Sequence, residues 1–251
     1  MNSGCQHGRK ENAVTELSRV SWPSIQQRPP VLLPLGSVEQ HGPHLPLHTD
    51  TAIAVAVARG AAHRLGNGAF VAPPLYYGSS GEHQSFPGTL SIGQDALKMM
   101  LVELVRSLSH WAGQVVIVNA HGGNVQALAA AVHQMRYEKH DVVWAACATE
   151  SVDAHAGYTE TSLMLHLEPD SVNLARAEAG NTAPVTELLS QIITGGVAAV
   201  SPNGVLGDPA GATAEEGARV LAEMIDDVVA RIECGHPDDK GFLTMPDRSR
   251  V

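Results

Sequence analysis

Val115-Val116-Ile117-Val118, followed directly by Asn119-Ala120-His121-Gly122-Gly123-Asn124, is the stretch that decides the fold. Four consecutive β-branched, apolar residues read as a strand buried on both faces, the pattern of a parallel sheet covered by helices. The polar run after it falls where such sheets gather functional residues, on the loop beyond a strand's carboxyl end. Outward from this strand the chain alternates between two periodicities. Residues 31–35, 69–72 and 142–148 read as further strands, and 51–65, 95–111, 125–137 and 160–167 as helices. In the second of those helices Leu97, Met100, Leu101, Leu104, Leu108 and Trp111 share one face. A last long helix is announced by Thr213 as N-cap with Glu216 three residues on, and runs through Val220, Leu221, Met224, Ile225, Val228 and Val229. The alternation predicts an α/β fold, a three-layer α/β/α sandwich with a largely parallel central sheet. It reads as one domain over 13–236, between a disordered lead-in over 1–12 and a mobile tail over 237–251.

Bulk composition narrows the function. A chain of 251 residues with 44% hydrophobic content has enough apolar surface for one sizeable core. Sixteen basic against 26 acidic residues leave a net charge of −10, which argues against a nucleic-acid backbone as partner. The three cysteines, Cys5, Cys147 and Cys234, form no CxxC pair and suit a reduced compartment. Residues 1–14 show no apolar signal core, and the apolar runs are too short to span a bilayer. The expectation is a cytoplasmic protein with no membrane partner.

Three polar constellations follow predicted strands. In Leu35-Gly36-Ser37-Val38-Glu39-Gln40-His41-Gly42-Pro43-His44-Leu45-Pro46-Leu47-His48-Thr49-Asp50, Glu39 and His41 are two apart and share a face in extended chain. Asp50 lies beyond a Pro-rich turn that can fold back toward them. Imidazole nitrogen with hard carboxylate oxygen is the donor set of a divalent metal. Asp50 also reads as a plain cap for the helix that follows, and His44 and His48 as lining of the turn. The second constellation is Asn119–Asn124, whose His121 stands beside Gly122 and Gly123; it resembles a phosphate-cradling loop but matches neither GxGxxG nor GxxxxGK[ST]. The third is His155-Ala156-Gly157-Tyr158-Thr159-Glu160, where Glu160 also suits a helix start on dipole grounds alone. Gly78-Ser79-Ser80-Gly81-Glu82-His83 lacks the G-x-S-x-G spacing of a serine-hydrolase elbow and reads as a loop at the mouth of a site.

Taken in order, Glu39-Gln40-His41-Gly42-Pro43-His44-Leu45-Pro46 with Asp50, Ser80-Gly81-Glu82-His83, Asn119–Asn124, and His155-Ala156-Gly157 with Glu160-Thr161 resemble the creatininase (creatinine amidohydrolase) family. The likeness runs from about Val31 to the final helix. Within the family it is strongest to the branch of peptidases that mature a modified precursor peptide, through 81–93, 155–169 and 204–217. The resemblance implies a dinuclear metal amidohydrolase, assembled as a closed homo-oligomer such as a hexamer or octamer. It implies two divalent ions per subunit (Zn, Fe(II) or Mn): Glu39 on one, His41 on the other, Asp50 bridging both, and His121 as a further ligand. Creatininase itself carries a ligand Glu where this chain has Gly123, and Glu160 is expected to fill the vacated place. A metal-activated hydroxide would attack the amide carbonyl, with His155 as proton donor to the leaving amine. Ser80, Glu82, His83, Gly122 and Gly123 are the expected substrate contacts, with the peptide cut near its C-terminus. The rivals are another amidohydrolase of the family (creatininase or a formamide deformylase), a nucleotide-binding module, and a fold with one purely structural metal.

Overall fold

The computed structural model describes residues 14–25, 28–66, 68–148 and 153–245; the expected lead-in over 1–12 and residues 246–251 lie outside these. In chain order the regular elements are β1 (Thr15–Glu16), β2 (Val31–Leu35), α1 (Thr49–Leu65), β3 (Phe70–Val71), α2 (Gly93–Leu108), β4 (Val115–Asn119), α3 (Val125–Tyr137), β5 (Val142–Ala146), α4 (Tyr158–Leu167), α5 (Val185–Gly195), α6 (Ala214–Cys234), β6 (His236–Pro237) and β7 (Leu243–Thr244). The first five strands form one sheet in the order β1-β3-β2-β4-β5, with every pairing parallel.

Alternation along the central strands sorts the core into two layers. Val31, Leu33, Leu35, Val115, Ile117, Val142 and Trp144 face one side, against Leu97, Leu101 and Val105 of α2 and Leu128, Val132 and Met135 of α3. Leu32, Val116, Val118, Val143 and Ala145 face the other, against Ile53, Val57 and Ala61 of α1, Leu163 of α4 and Val220, Met224 and Val228 of α6. Leu32, Leu35 and Ile117 are fully buried, each contributing about 1.5–3 kcal/mol of transfer free energy. The result is the α/β/α sandwich expected from the sequence.

After β2 the chain steps outward to β3, then returns across β2 to β4. The carboxyl ends of β2 and β4 therefore flank the switch point of the sheet, where open α/β folds hold their ligands. The first two polar constellations start from these two strands, paired Leu35 to Asn119.

Two regions differ from expectation. Residues 236–245 are ordered as a hairpin rather than a free tail: β6 pairs antiparallel with β7, Leu243 is buried, and Phe242 packs on the Trp144 ring at 4.6 Å. The apolar pair Phe242-Leu243 holds this otherwise polar segment against the core. Helix α5 was not expected; it buries Leu188 while Leu189 and Ile193 stay exposed. The final helix begins as read, with the Thr213 hydroxyl accepting from the Glu216 amide at 3.1 Å. No helix among the described residues is long and apolar enough to cross a membrane.

Candidate metal centre

The loop after β2 is folded back by short-range packing. Gly36 admits no side chain, because a Cβ there would overlap Thr51 at the start of α1. That close approach brings Asp50, in the first turn of α1, under the loop that carries Glu39 and His41. Asp50 is no N-cap: the cap position is His48, and the Asp50 carboxylate turns inward instead. The loop after β4 is braced by its two asparagines. Asn119 Nδ2 donates to His121 O at 2.8 Å, and Asn124 Nδ2 donates to Asn119 Oδ1 at 3.1 Å and to Gly36 O at 2.9 Å. Asn124 Oδ1 accepts from Ser79 N at 2.8 Å, so one side chain ties three loops together. Those groups, and the Asn124 amide bonded to His121 O, are spent on the loop itself rather than on a phosphate.

Glu39, His41, Asp50, His121, His155 and Glu160 converge, with His83 beside them. Asp50 stands between two imidazoles, Oδ1 at 3.1 Å from His41 Nε2 and Oδ2 at 3.2 Å from His121 Nδ1, while Ser37 Oγ donates to Oδ2 at 2.7 Å. Glu160 Oε2 lies 3.9 Å from His41 Nε2 and accepts the Ala156 amide at 2.6 Å. Glu39 is fully buried, with Oε1 3.2 Å from His83 Nε2 and Oε2 3.2 Å from His121 Nε2. Yet neither Glu39 oxygen has a partner in hydrogen-bonding geometry. Buried carboxylate oxygens without hydrogen bonds are costly unless a cation compensates them. Donor atoms sharing one ion at 2.0–2.2 Å stand about 3–3.6 Å apart, the spacing of Asp50 Oδ1 from His41 Nε2 and of Asp50 Oδ2 from His121 Nδ1.

The outward nitrogens support the same reading. A main-chain carbonyl can only accept, so the ring nitrogen facing it carries the proton. His41 Nδ1 donates to Glu39 O at 3.1 Å, His121 Nε2 to Ser79 O at 3.1 Å and His155 Nε2 to Gln40 O at 2.8 Å. Each then turns its other nitrogen inward, the arrangement that outer hydrogen bonds impose on metal-binding imidazoles. The residues present thus fit a divalent-metal centre. Within it, Glu39, Asp50 and His121 form one group and His41, His155 and Glu160 another, each with its donor atoms within 4.8 Å of one another.

Of the expected substrate contacts, Glu82, Gly122 and Gly123 line a cavity of about 580 Å³ whose opposite wall is Leu189, Ile192 and Ile193 of α5. Glu82 Oε1 reaches back to 3.6 Å from His121 Nε2. A Cβ on Gly123 would overlap His121 Nε2, Ser79 O and Glu82 Oε1, so a side chain has no room there. Ser80 is buried, with Oγ 3.4 Å from His121 Nε2, and His83 lies in the cluster rather than on the cavity wall. The donor role expected for His155 does not suit its placement: its ring proton is committed to Gln40 O. Burial and the neighbouring His41 and His83 hold its pKa well below 6.5. His44 is buried behind the loop, Nε2 on Thr161 Oγ1 at 2.9 Å, and His48 pairs with Glu168 at the surface. The sequence reading missed two contributors, the α5 wall and Gln40. The first left a signal, Leu188, Leu189, Ile192 and Ile193 at helical spacing after Pro184.

Without metal the cluster stores protons. Burial lowers the His41 pKa, but the Asp50 carboxylate, then Glu160 and Glu39, outweigh it and hold the imidazole at about 10. His121, against the same burial, is held at about 10 by Glu39, Asp50 and Glu82. Burial raises Glu39 to about 7 against the pull of His121, and Glu160 to about 7 against that of His41. Burial would raise Asp50 as well, but His41 and His121 keep it well below 3.8. For the two imidazoles the folded pKa lies above the unfolded 6.5, so their stabilisation is full below 6.5 and lost as pH rises through about 10. For the two glutamates the folded chain also holds the extra proton, so stability falls between 4.5 and about 7. Above pH 7, where His83 and His155 are neutral in both the folded and the unfolded chain, chelator-treated protein is therefore expected to lose Tm up to pH 9. Added zinc is expected to raise Tm more at pH 8 than at pH 6. Differential scanning calorimetry reads both; a zinc effect independent of pH would contradict the proton exchange.

Buried carboxylates and imidazoles at the switch point of a parallel sheet, opening on a cavity, define the class: an α/β protein built for metal-assisted chemistry. The chain belongs to the creatininase family, whose model, described as creatinine amidohydrolase, matches residues 18–232. A mycofactocin precursor peptide peptidase of Mycobacterium ulcerans is 55% identical over 231 residues, 89% of this chain and 90% of the relative. Among solved structures, a creatininase variant superimposes with a TM-score of 0.72 at 27% identity, covering 88% of this chain and 98% of the other. A zinc–zinc form of a creatininase variant gives 0.70 at 26% over the same shares, and a manganese form 0.69 at 26%, again over 88% and 98%.

Proposed function

We propose that the chain is a dinuclear metal-dependent peptidase that hydrolyses an amide bond near the C-terminus of the modified mycofactocin precursor peptide. The observation that carries this reading is Asp50, whose two oxygens face the inward nitrogens of two different histidines. In this reading Glu39, Asp50 and His121 would hold one ion, and His41 and Glu160, with Asp50, would hold the second. His155 turns Nδ1 toward the second group. Zn, Fe(II) and Mn all suit such a donor set. Two ions held here would supply an activated water and a charge that polarises the scissile carbonyl.

The chain's own residues do the rest. Gly122, whose side-chain direction is open, leaves a peptide backbone free to approach the loop that carries His121, and the α5 wall supplies apolar contact for its side chains. A cavity of about 580 Å³ is far larger than one small cyclic amide requires. In hydrolysis the carbon–nitrogen bond breaks, water oxygen joins the carbonyl carbon, and one water proton must reach the leaving amine. Glu82, at once on the cavity wall and beside His121, takes the carrier role first expected of His155. Ser80 steadies His121. The reading extends to a single domain that takes in the docked hairpin after residue 236, and to a closed homo-oligomer.

The test is cleavage of the precursor peptide by the full chain before chelation, after it, and after return of zinc, iron(II) or manganese. Cleavage is expected to vanish on chelation and to return with at least one metal. Persistence in chelator sinks the reading; hydrolysis of creatinine instead of the peptide would assign the chain to the small-amide branch. Thermal stabilisation by a nucleotide and indifference to metal would favour a binding module.

A further inference from the structure

Gln40 sits between the two metal-facing residues of its loop but belongs to neither group, and its side chain is fully engaged. Its Oε1 accepts the Gly42 amide at 2.8 Å and its Nε2 donates to Gly204 O at 3.0 Å. A main-chain donor at one end and a main-chain acceptor at the other fix which way the amide points. One Nε2 hydrogen remains. Nδ1 of His83 lies 2.9 Å from it and Nε2 of His155 3.0 Å. His155 Nε2 already spends its proton on Gln40 O and has no lone pair to offer. The second hydrogen therefore goes to His83, whose Nδ1 must be bare.

This makes His83 the exception in the cluster. His41, His121 and His155 each face a carbonyl with one ring nitrogen, which leaves the other free for a metal once its proton is displaced; His83 faces a donor. A neutral His83 consequently carries its proton on Nε2, the atom 3.2 Å from Glu39 Oε1. We propose that Gln40 is a positioning residue that sets the tautomers of His83 and His155, through its side-chain amide and its main-chain carbonyl respectively. His83 then stands as an N–H group beside Glu39 and outside the coordination shell, and His155 presents a bare Nδ1. The grouping of Glu39, His83 and His155, close enough in space to hold a third ion, is closed to metal by that proton. Which tautomers are present follows from hydrogen bonding alone; what they do for coordination rests on the metallopeptidase reading.

Histidine-labelled full chain, loaded with zinc and again after chelation, tests this by long-range proton–nitrogen NMR. His83 is expected as the Nε2–H tautomer in both states, with no metal-induced shift of Nε2, whereas ring nitrogens of His41, His121 and His155 shift on loading. In Q40E the carboxylate can still accept from Gly42 but cannot donate, so His83 is expected to gain a proton on Nδ1. His155 should remain Nε2–H, because the substitution keeps the main-chain carbonyl. Should Q40E not fold, Q40M removes the amide alone, and His83 is then expected to lose its single tautomer while His155 keeps its own. A native His83 with a proton on Nδ1, a His83 Nε2 that shifts with zinc, or a variant that leaves His83 unchanged overturns the proposal. Because no arm measures cleavage, failure of the peptidase reading would leave these spectra interpretable.

Discussion

Replacing Asp50 with Asn is expected to reduce peptide cleavage at least about a thousandfold while the protein stays folded. The side chain keeps its shape and can still accept the Ser37 hydroxyl, bonded at 2.7 Å. It loses one of two oxygens and the charge that both histidines face. In the proposed centre that carboxylate is shared, so a single substitution weakens both ions, and the loss of several kcal/mol of transition-state stabilisation corresponds to that factor. Metal content measured by elemental analysis should fall from two per subunit to less than one. Folding should survive, because α1 is seated by Ile53, Val57 and Ala61 in the core rather than by Asp50. A purely structural metal predicts the opposite, loss of the far-ultraviolet circular dichroism signal. Two bound ions with unimpaired cleavage would falsify the bridging role.

Glu160→Gln is the second large effect. If Glu160 replaces the family ligand absent at Gly123, its removal should cost one ion selectively, weakening the second equivalent of metal by at least about a hundredfold, beyond the usual cost of an outer-shell change. Restoring the family pattern should not rescue it. A side chain at residue 123 would run into His121 Nε2 and Glu82 Oε1, so Gly123→Glu in the Glu160→Gln background is expected to displace Glu82 and leave cleavage low. Calorimetric titration of the chelated variants with zinc gives the stoichiometry. Two full equivalents in Glu160→Gln would show that the second ion is held without this carboxylate.

The layered fold was legible because burial on both faces leaves an unbroken apolar signature, as in Val115–Val118, and amphipathic helices leave theirs. The chain-local members of the buried cluster were legible too: Glu39 and His41 stand two apart in an extended loop, and Asp50 follows a turn. Whether Asp50 capped a helix or turned inward onto two histidines was not, because the answer depends on how closely Thr51 approaches Gly36. Gln40 was illegible for a related reason. Its partners, His83, His155 and Gly204, lie 43, 115 and 164 residues away, and no local pattern encodes such a meeting. The role of His155 turned on the same long-range contact. At the C-terminal end, Phe242-Leu243 was a readable apolar pair inside a polar segment, and its docking on Trp144 is what ordered residues expected to be free.

The return of the chain from β3 across β2 to β4 sets a schedule for synthesis. Glu39, His41 and Asp50 leave the ribosome long before His121 and Glu160, and at about 5–20 residues per second the gap from residue 50 to residue 160 is roughly 5–20 seconds. Until residues 115–119 emerge, in the first part of that interval, β2 lacks its neighbour β4, and the nascent loop offers half of the cluster with nothing to close it. In the proposed centre, metal capture would thereby be deferred until the middle of the sheet has assembled, and the first tightly held ion would mark completed folding rather than trigger it.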